Sequence, residues 1–200
     1  MGGIIRAFQW AFDPSVEQIG GPTVVPRSNQ WSGVLDFFLQ SNHDHGSAAH
    51  LLTSGGADIM APATLRGANQ LTVTPTFNYS AFFYAGGVFH SALTGAYLEL
   101  YVEEFDTAGN FVRGIDIGHF EIGHWDGWWL SGSRTWGAGG NSWVIPQNGT
   151  VAGTQGFLYR VWLDLHGDIR ADGWGVFGGS GAISQAQVRF VQFDWGIDPA

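Results

Sequence analysis

The chain has 200 residues, a formal net charge of −9, eight arginines, no lysine and no cysteine. Such a chain lacks the clustered bases that neutralise phosphates, so its composition excludes nucleic acids as partners and disfavours anionic membrane surfaces. Without cysteine there is no disulfide, no thiolate nucleophile and no cysteine metal site, and the redox compartment cannot be read from the sequence.

The length and the aromatic content predict one folded domain that spans residues 1–200. The chain carries 31 glycines, ten tryptophans and fifteen phenylalanines, which together indicate many turns around a sizeable core. Residues 1–6 lack the layout of a secretory signal, and no apolar run is long enough for a spanning helix. We therefore expect a soluble protein, either cytoplasmic or exported by a non-standard route.

Alternation of apolar and polar residues predicts a series of strands. The clearest amphipathic strand, with one wet face, is 71–84. In 97–105, Glu99, Glu103 and two tyrosines oppose three aliphatic residues. In 157–169, one face holds Phe157, Tyr159, Val161, Leu163 and Leu165, and the other holds Leu158, Arg160, Trp162, Asp164 and His166. Pro75 predicts an edge or a bulge, and Gly109 a hairpin loop over 106–110. The predicted strands are 4–12, 31–39, 71–84, 97–105, 115–122, 157–169 and 186–195.

Other segments lack this alternation. Ser47 as a cap and two glycines at 55–56 predict a short helix over 48–53. Irregular loops are predicted over 18–30 and 131–140, and a turn over 124–127. Short strands with frequent turns and almost no helix predict an all-β fold, an antiparallel β-sandwich of jelly-roll-like type with at most one or two short helices.

Residues 115–130 form the stretch richest in chemically active side chains. On a strand, His119 and Glu121 share a face, and His124 follows at the strand end. Imidazole and carboxylate groups suit a divalent transition metal such as zinc, iron or manganese. A metal site is therefore predicted if His43 and His45, which have a ligand spacing of their own, meet this group in space. The alternative is an ordinary solvated face.

Tryptophans are concentrated just after this point and predict a ligand-binding surface. Sugar rings stack their apolar face on indole, while their hydroxyl groups bond to Asp, Asn and backbone groups of adjoining loops. The alternative is that these tryptophans only lock loops together. The predicted ligand-binding residues are Trp125, Asp126, Trp128, Trp129, Arg134, Trp136 and Asn141.

Three functional hypotheses follow. The leading one is a non-enzymatic, lectin-like module that binds carbohydrate or another small ligand with polar and apolar groups, without a cofactor and without catalytic residues. The second is a metal-dependent jelly-roll enzyme that uses the His/Glu group. The third is a self-assembling or membrane-inserting β protein, suggested by the uncharged alternation over 67–98. Aromatic-rich, uncharged faces also form subunit interfaces, so a homo-oligomer is a further expectation.

Overall fold

The computed structural model describes nine segments of the chain: residues 2–27, 33–41, 46–60, 69–87, 91–127, 132–142, 151–153, 156–172 and 180–199. In residues 132–142 it describes the path of the backbone alone. All statements below refer to these segments.

The described segments contain twelve β-strands and no helix. The strands are β1 Gly2–Ile5, β2 Trp10–Ile19, β3 Thr23–Pro26, β4 Val34–Ser41, β5 Ser47–Met60, β6 Asn69–Gly87, β7 Ala92–Phe105, β8 Phe111–Gly127, β9 Gly132–Ser142, β10 Val151–Gly153, β11 Leu158–Ala171 and β12 Ser180–Pro199.

These strands form two antiparallel sheets. One has seven strands in the order β10-β6-β12-β4-β3, with β1 added to β12 and β9 added to β6. The other has five strands in the order β2-β5-β11-β7-β8. From β4 to β7 each strand lies in the other sheet from its predecessor, as in double-sheet jelly rolls. The fold is therefore the predicted antiparallel, jelly-roll-like β-sandwich.

The core lies between the two sheets and is built by the apolar face of each amphipathic strand. Along β11, the odd-numbered residues from Tyr159 to Leu165 are fully buried, so the residues predicted to share a face form its inner face. Gly167 continues this face, and a Cβ there would stand 2.2 Å from the ring of Phe37, a fully buried side chain of the opposite sheet. The missing side chain therefore makes room for an aromatic ring between the sheets.

Hydrogen bonds also join the two layers. Thr94 Oγ1 donates to the carbonyl of Ile183 at 2.8 Å, and Ser184 Oγ donates to the carbonyl of Gly95 at 2.9 Å. Both hydroxyl-bearing residues are fully buried, so these bonds satisfy groups that would otherwise be costly inside the core.

One predicted detail is confirmed by the backbone. Gly109 has a φ of 83°, and the backbone N–H of Gly109 donates to the carbonyl of Asp106 in the hairpin loop between β7 and β8. Pro75 lies on β6, a strand that pairs with β12 on one side and with β9 and β10 on the other. The predicted edge or bulge at Pro75 therefore stays a prediction.

The predicted helix over 48–53 is wrong, because these residues belong to β5. They pair with β11 on one side and β2 on the other. Two flanking strands satisfy the backbone groups of the segment, and its odd-numbered residues, such as Ala49 and Leu51, are buried in the core. Tertiary pairing therefore outweighs the local capping signals.

Other boundaries also differ from the predictions. The turn predicted over 124–127 is part of β8, because these residues pair with Ala92–Gly95 of β7. The loop predicted over 131–140 runs as β9 along β6 from Gly132 onward, and the loop predicted over 18–30 contains β3. The first predicted strand, 4–12, is divided between β1 and β2. Each difference arises because the segment pairs with a neighbouring strand, and sequence patterns do not show which strands are neighbours.

A bulge in β8 changes one predicted face. Gly118 pairs with Leu100 and Asp116 with Tyr101, so Ile117 is the extra residue between them. Ile117 is 7% exposed, whereas His119 is exposed, so the two residues do not share a face as predicted. The extra residue reverses the alternation and brings Asp116 onto the same face as His119.

Candidate functional site: a groove on the five-stranded sheet

The outer face of the five-stranded sheet carries a groove with a volume of about 970 Å³. Three cross-strand rows of outward-facing residues build this face, because directly paired residues point to the same side of a sheet. The first row is Glu17, His50, Asp168, Gly95 and His124; the second is Leu52, His166, Tyr97 and Glu121; the third is Ser54, Asp164, Glu99 and His119.

Most of the exposed lining of the groove is apolar, and acids and histidines make up most of its polar part. Among the described residues, Arg170 is the one arginine of the lining, and its Nε donates to Asp172 Oδ1 at 2.9 Å. The lining also contains His50, His119 and His124. Five lining residues carry carboxylates, namely Glu17, Glu99, Asp116, Glu121 and Asp168.

One histidine of the groove is paired with a carboxylate. His50 Nδ1 lies 2.7 Å from Asp168 Oδ1, across the ladder between β5 and β11. The hydrogen bond to Asp168 raises the pKa of His50, burial opposes this, and the charges of Asp168 and Glu17 add to it. This end of the groove therefore favours a protonated imidazole over a wider pH range than in water.

A further histidine, His166, lies on the same face and pairs across the ladder with the lining residue Tyr97. His166 is only 8% exposed, and its ring stacks on that of Tyr97 at 4.3 Å between centroids and 6° between planes. Its Nε2 lies 3.1 Å from Glu99 Oε2 without the alignment of a hydrogen bond, and its Nδ1 has no partner among the described residues. Burial lowers the pKa of His166 to about 4, with the charge of His50 acting in the same direction, so this imidazole is neutral near pH 7.

Two carboxyl groups beside His166 feel the accumulated negative charge. Burial raises the pKa of Asp164 to about 7, with Glu99 and Glu103 adding to the rise and a hydrogen bond from Ser54 opposing it. Burial and the charge of Asp116 raise the pKa of Glu99, while His119 opposes the rise. The middle of the sheet thus holds acids in excess of the bases that could neutralise them.

Beyond the groove, the same face carries a cluster of aromatic and basic side chains. The Arg160 guanidinium lies 4.3 Å from the ring centroid of Trp10, and its Nε donates to Asp58 Oδ1 at 2.9 Å. Trp162 Nε1 donates to Glu103 Oε2 at 2.9 Å. The carboxylates of this cluster, Asp58 and Glu103, thus accept hydrogen bonds from Arg160 and Trp162.

The predicted metal ligands are only partly within the described residues. His119, Glu121 and His124 all line the groove, whereas His43 and His45 lie outside the described segments. Within those segments, no three His, Asp or Glu side chains converge closely enough to hold a metal ion. The metal site and its cofactor therefore stay predictions.

The predicted tryptophan surface is distributed over both sheets. Trp125 is half-buried on β8 and packs against the core, while its neighbour Asp126 is exposed and lies 3.1 Å from His124 Nε2. The backbone of β9 places three predicted residues opposite β6 in the other sheet: Arg134, Trp136 and Asn141. Trp128 and Trp129 lie outside the described segments. The role of this set in ligand binding stays a prediction.

The groove also contains functional candidates that the sequence did not single out. His50 was assigned to a helix, and Tyr97 and Glu99 were assigned to a wet face without a function. The signal was present in the polar faces of 97–105 and 157–169. What was missing was the adjacency of β5, β11 and β7. Asp168 of β11 pairs with His50, 118 positions away, and with Gly95, 73 positions away (168 − 95).

No protein-family model matches the chain, and no curated protein matches it. Among solved structures, it is similar to TmCBM61 in complex with β-1,4-galactotriose, with 13% identity, a TM-score of 0.24, and coverage of 91% of this chain and 89% of that chain. It is also similar to a chain of infectious bursal disease virus Gx strain, with 12% identity, a TM-score of 0.18, and coverage of 94% of this chain and 37% of that chain.

In the described segments, no helix has the length and hydropathy needed to cross a membrane. Large apolar side chains do remain exposed at the edges of the sheets, with Ile19 at 75% and Phe111 at 57%. The expected homo-oligomer stays a prediction.

Proposed function

We propose that this protein is a non-enzymatic carbohydrate-binding module and that the sugar lies in the groove of the five-stranded sheet. The observation that carries the proposal is the groove itself, a concave site that is built from strands and has a volume of about 970 Å³. Ligand sites in proteins typically enclose roughly 300–1,000 Å³, so the groove has room for several sugar units.

The polar lining suits hydroxyl groups. Each carboxylate accepts several hydrogen bonds and donates none, so it pairs with the O–H donors that a sugar carries in abundance. Glu121 and Asp116 are exposed side chains on β8, at the open wall of the groove. Hydrogen bonds to charged groups are stronger than those between neutral groups, which allows a ligand to exchange bound water for carboxylate contacts.

The apolar lining suits the carbon-bound face of a sugar ring. Tyr97 lines the groove, and its ring stacks on the ring of His166. Leu93, Ala48 and Ile19 add aliphatic surface. A lining that combines an aromatic ring, aliphatic groups and convergent acceptors fits a ligand whose own surface alternates between C–H and O–H groups.

The tryptophan-rich segment is a second site proposal for the same function. Its exposed member among the described residues is Asp126, which borders a smaller cavity of about 290 Å³ with Arg170 and Asp172. Trp128→Ala distinguishes the two sites. If Trp128 belongs to a tryptophan surface that binds the sugar, the substitution weakens sugar binding without changing stability. If the groove is the site, sugar binding is unchanged.

Binding of the wild-type chain to a glycan array and then calorimetric titration with the best oligosaccharide test the proposal. β-1,4-linked oligomers of glucose, galactose, mannose and N-acetylglucosamine are suitable ligands. Glu121→Ala should weaken binding about tenfold, since a hydrogen bond to a charged group contributes about 1.5–3 kcal/mol. Because Glu121 is exposed, the melting temperature should stay unchanged.

The matched control is Asp194→Ala, which removes one exposed-face carboxylate from β12 in the other sheet. Asp194 accepts a hydrogen bond from Gln192 and lies outside the groove. Its loss should leave sugar affinity unchanged. If the wild-type chain binds no oligosaccharide on the array, the proposed function is wrong.

A further inference from the structure

The charges of the groove are unbalanced. Among the residues that the structure describes, five that line the groove carry carboxylates and one is an arginine, which is bonded to Asp172. His50 offsets part of the charge of Asp168, to which it is bonded. Within the described residues, Glu17, Asp116 and Glu121 form no ion pair with any arginine, although Arg160 is paired with Asp58 elsewhere on the same face.

The excess charge extends into the floor of the groove. Glu99 has a side chain that is 28% exposed, and the imidazole Nε2 of His166 lies 3.1 Å from its Oε2. The charge of His119 opposes the rise in the pKa of Glu99. His166 is more than nine-tenths buried, is directed at this carboxylate, and has no hydrogen-bond partner for Nδ1 among the described residues. The imidazole of His166 therefore lies beside the carboxylate of Glu99 but, being neutral near pH 7, does not balance its charge.

A ligand that covers this groove removes water from the carboxylates. Desolvating an ionised carboxylate is costly unless an opposite charge or strong donors replace the water. The hydroxyl groups of a neutral sugar supply donors but no charge. An ammonium group supplies three donors and a positive charge together, so it compensates the desolvation more fully.

From this imbalance we infer that the ligand of the groove is a cationic amino sugar, that is, an oligosaccharide with ring-bound ammonium groups. The inference rests on the proposed carbohydrate-binding function and specifies its substrate class. Glu121 and Asp116 on β8 and Glu99 on β7 are the acceptors for the ammonium groups, and Tyr97 with the aliphatic lining contacts the pyranose rings. That apolar lining favours a sugar over an extended basic peptide.

Three tetramers with the same β-1,4 backbone test the inference, since they differ only at carbon 2: glucosamine, N-acetylglucosamine and glucose. Calorimetric titration of the full chain should show that the glucosamine tetramer binds at least about fivefold tighter than the glucose tetramer, the effect of one good exposed ion pair. The preference should be larger at about 0.01 M salt than at about 0.15 M, because salt screens exposed charges.

Glu121→Gln and Asp116→Asn keep the size of each side chain and remove its charge. Each should reduce the preference for the glucosamine tetramer about two- to fivefold and change the affinity for the glucose tetramer less. Asp194→Asn, on the other sheet, changes the net charge of the chain by the same amount and should leave the preference intact. Loss of the preference in this control would assign it to overall charge and overturn the inference.

Three further outcomes would also overturn it. Equal affinity for the glucosamine and glucose tetramers would show that charge is not recognised, while the proposed sugar-binding function would survive. Equal affinity for the glucosamine and N-acetylglucosamine tetramers would assign recognition to the nitrogen substituent without its charge. A tetralysine peptide that displaces the glucosamine tetramer at equal concentration would show a general polycation site. If no sugar of any class binds, the proposed function falls together with the inference.

Discussion

The outer faces of the two sheets differ in the kind of polar residue that they present to water. On the seven-stranded sheet, the outward positions of β6 and β12 carry Thr, Ser, Asn and Gln with few charges, such as Asp194 paired with Thr74 and Arg189 paired with Asn78. On the five-stranded sheet, the outward positions of β11, β7 and β8 carry carboxylates and histidines. Both faces are wet, yet one is nearly neutral and the other strongly acidic.

This difference shows that an outward sheet face of this sandwich can be built without crowded acids. On the seven-stranded sheet, neutral polar residues such as threonine and glutamine occupy most of the polar outward positions of β6 and β12. Crowding has a cost, because burial and neighbouring acids raise the pKa of Asp164 and of Glu99. Residues with strongly perturbed pKa values are common at binding and catalytic sites. The raised pKa of Glu99, which lines the groove, therefore supports the groove as the functional surface.

The largest expected effect comes from the shared core. Leu163→Ala removes a fully buried side chain of β11 that points away from the groove. We expect a loss of about 2–5 kcal/mol in the free energy of unfolding, from lost burial and the cavity left behind. Urea denaturation measures it. Sugar affinity per folded molecule should not change, and a change would mean that the inner face shapes the groove directly.

The next effect concerns Asp164, on the acidic face of the same strand. Its pKa is raised from 3.8 to about 7 in the folded protein, so its contribution to stability is fully present below pH 3.8 and is lost as pH rises through about 7. Asp164→Asn should therefore stabilise the protein at pH 8, by up to about 4 kcal/mol. Denaturation at pH 4 and pH 8 measures the difference, and an equal effect at both pH values would contradict the assignment.

His166 should show the opposite pH dependence, although it is only two residues away. Its pKa is lowered from 6.5 to about 4, so its contribution to stability is present above pH 6.5 and is lost as pH falls through about 4. His166→Phe keeps a ring against Tyr97 and removes the titration. Unfolding free energies between pH 4 and 7 should then rise less steeply with pH than in the wild type, by up to about 3 kcal/mol over this range. If the free energy of unfolding of His166→Phe depends on pH as steeply as that of the wild type, protonation of His166 does not destabilise the folded protein.

The smallest effect is expected on the neutral face. Asp194→Asn keeps an acceptor for the amide of Gln192 and removes a partly exposed charge that has few charged neighbours on its sheet. We expect a change of less than about 0.5 kcal/mol in the free energy of unfolding and little dependence on pH. Parallel denaturation curves at pH 4 and pH 8 check this. A pH-dependent effect as large as that of Asp164→Asn would remove the distinction between the two faces.

The sequence by itself determined the fold class and the orientation of side chains within the longest strands. Side chains alternate with a period of two, and this period is a local property that any amphipathic strand displays. The residues 71–84, 97–105 and 157–169 therefore revealed their buried and wet faces directly. The hairpin at Gly109 also followed from local chemistry, namely the positive φ that glycine adopts easily.

Only the tertiary structure decided which strands are neighbours, and with them the groove. His50, Asp168 and Gly95 lie in one row because β11 pairs with β5 and β7, a relationship that no local pattern contains. The same pairing made a strand of residues 48–53 against their capping signals, and the bulge at Ile117 moved Asp116 onto the groove face. Periodicity assigns a residue to a face, but the long-range ladder determines which faces meet, because its hydrogen bonds join backbone segments far apart in the chain.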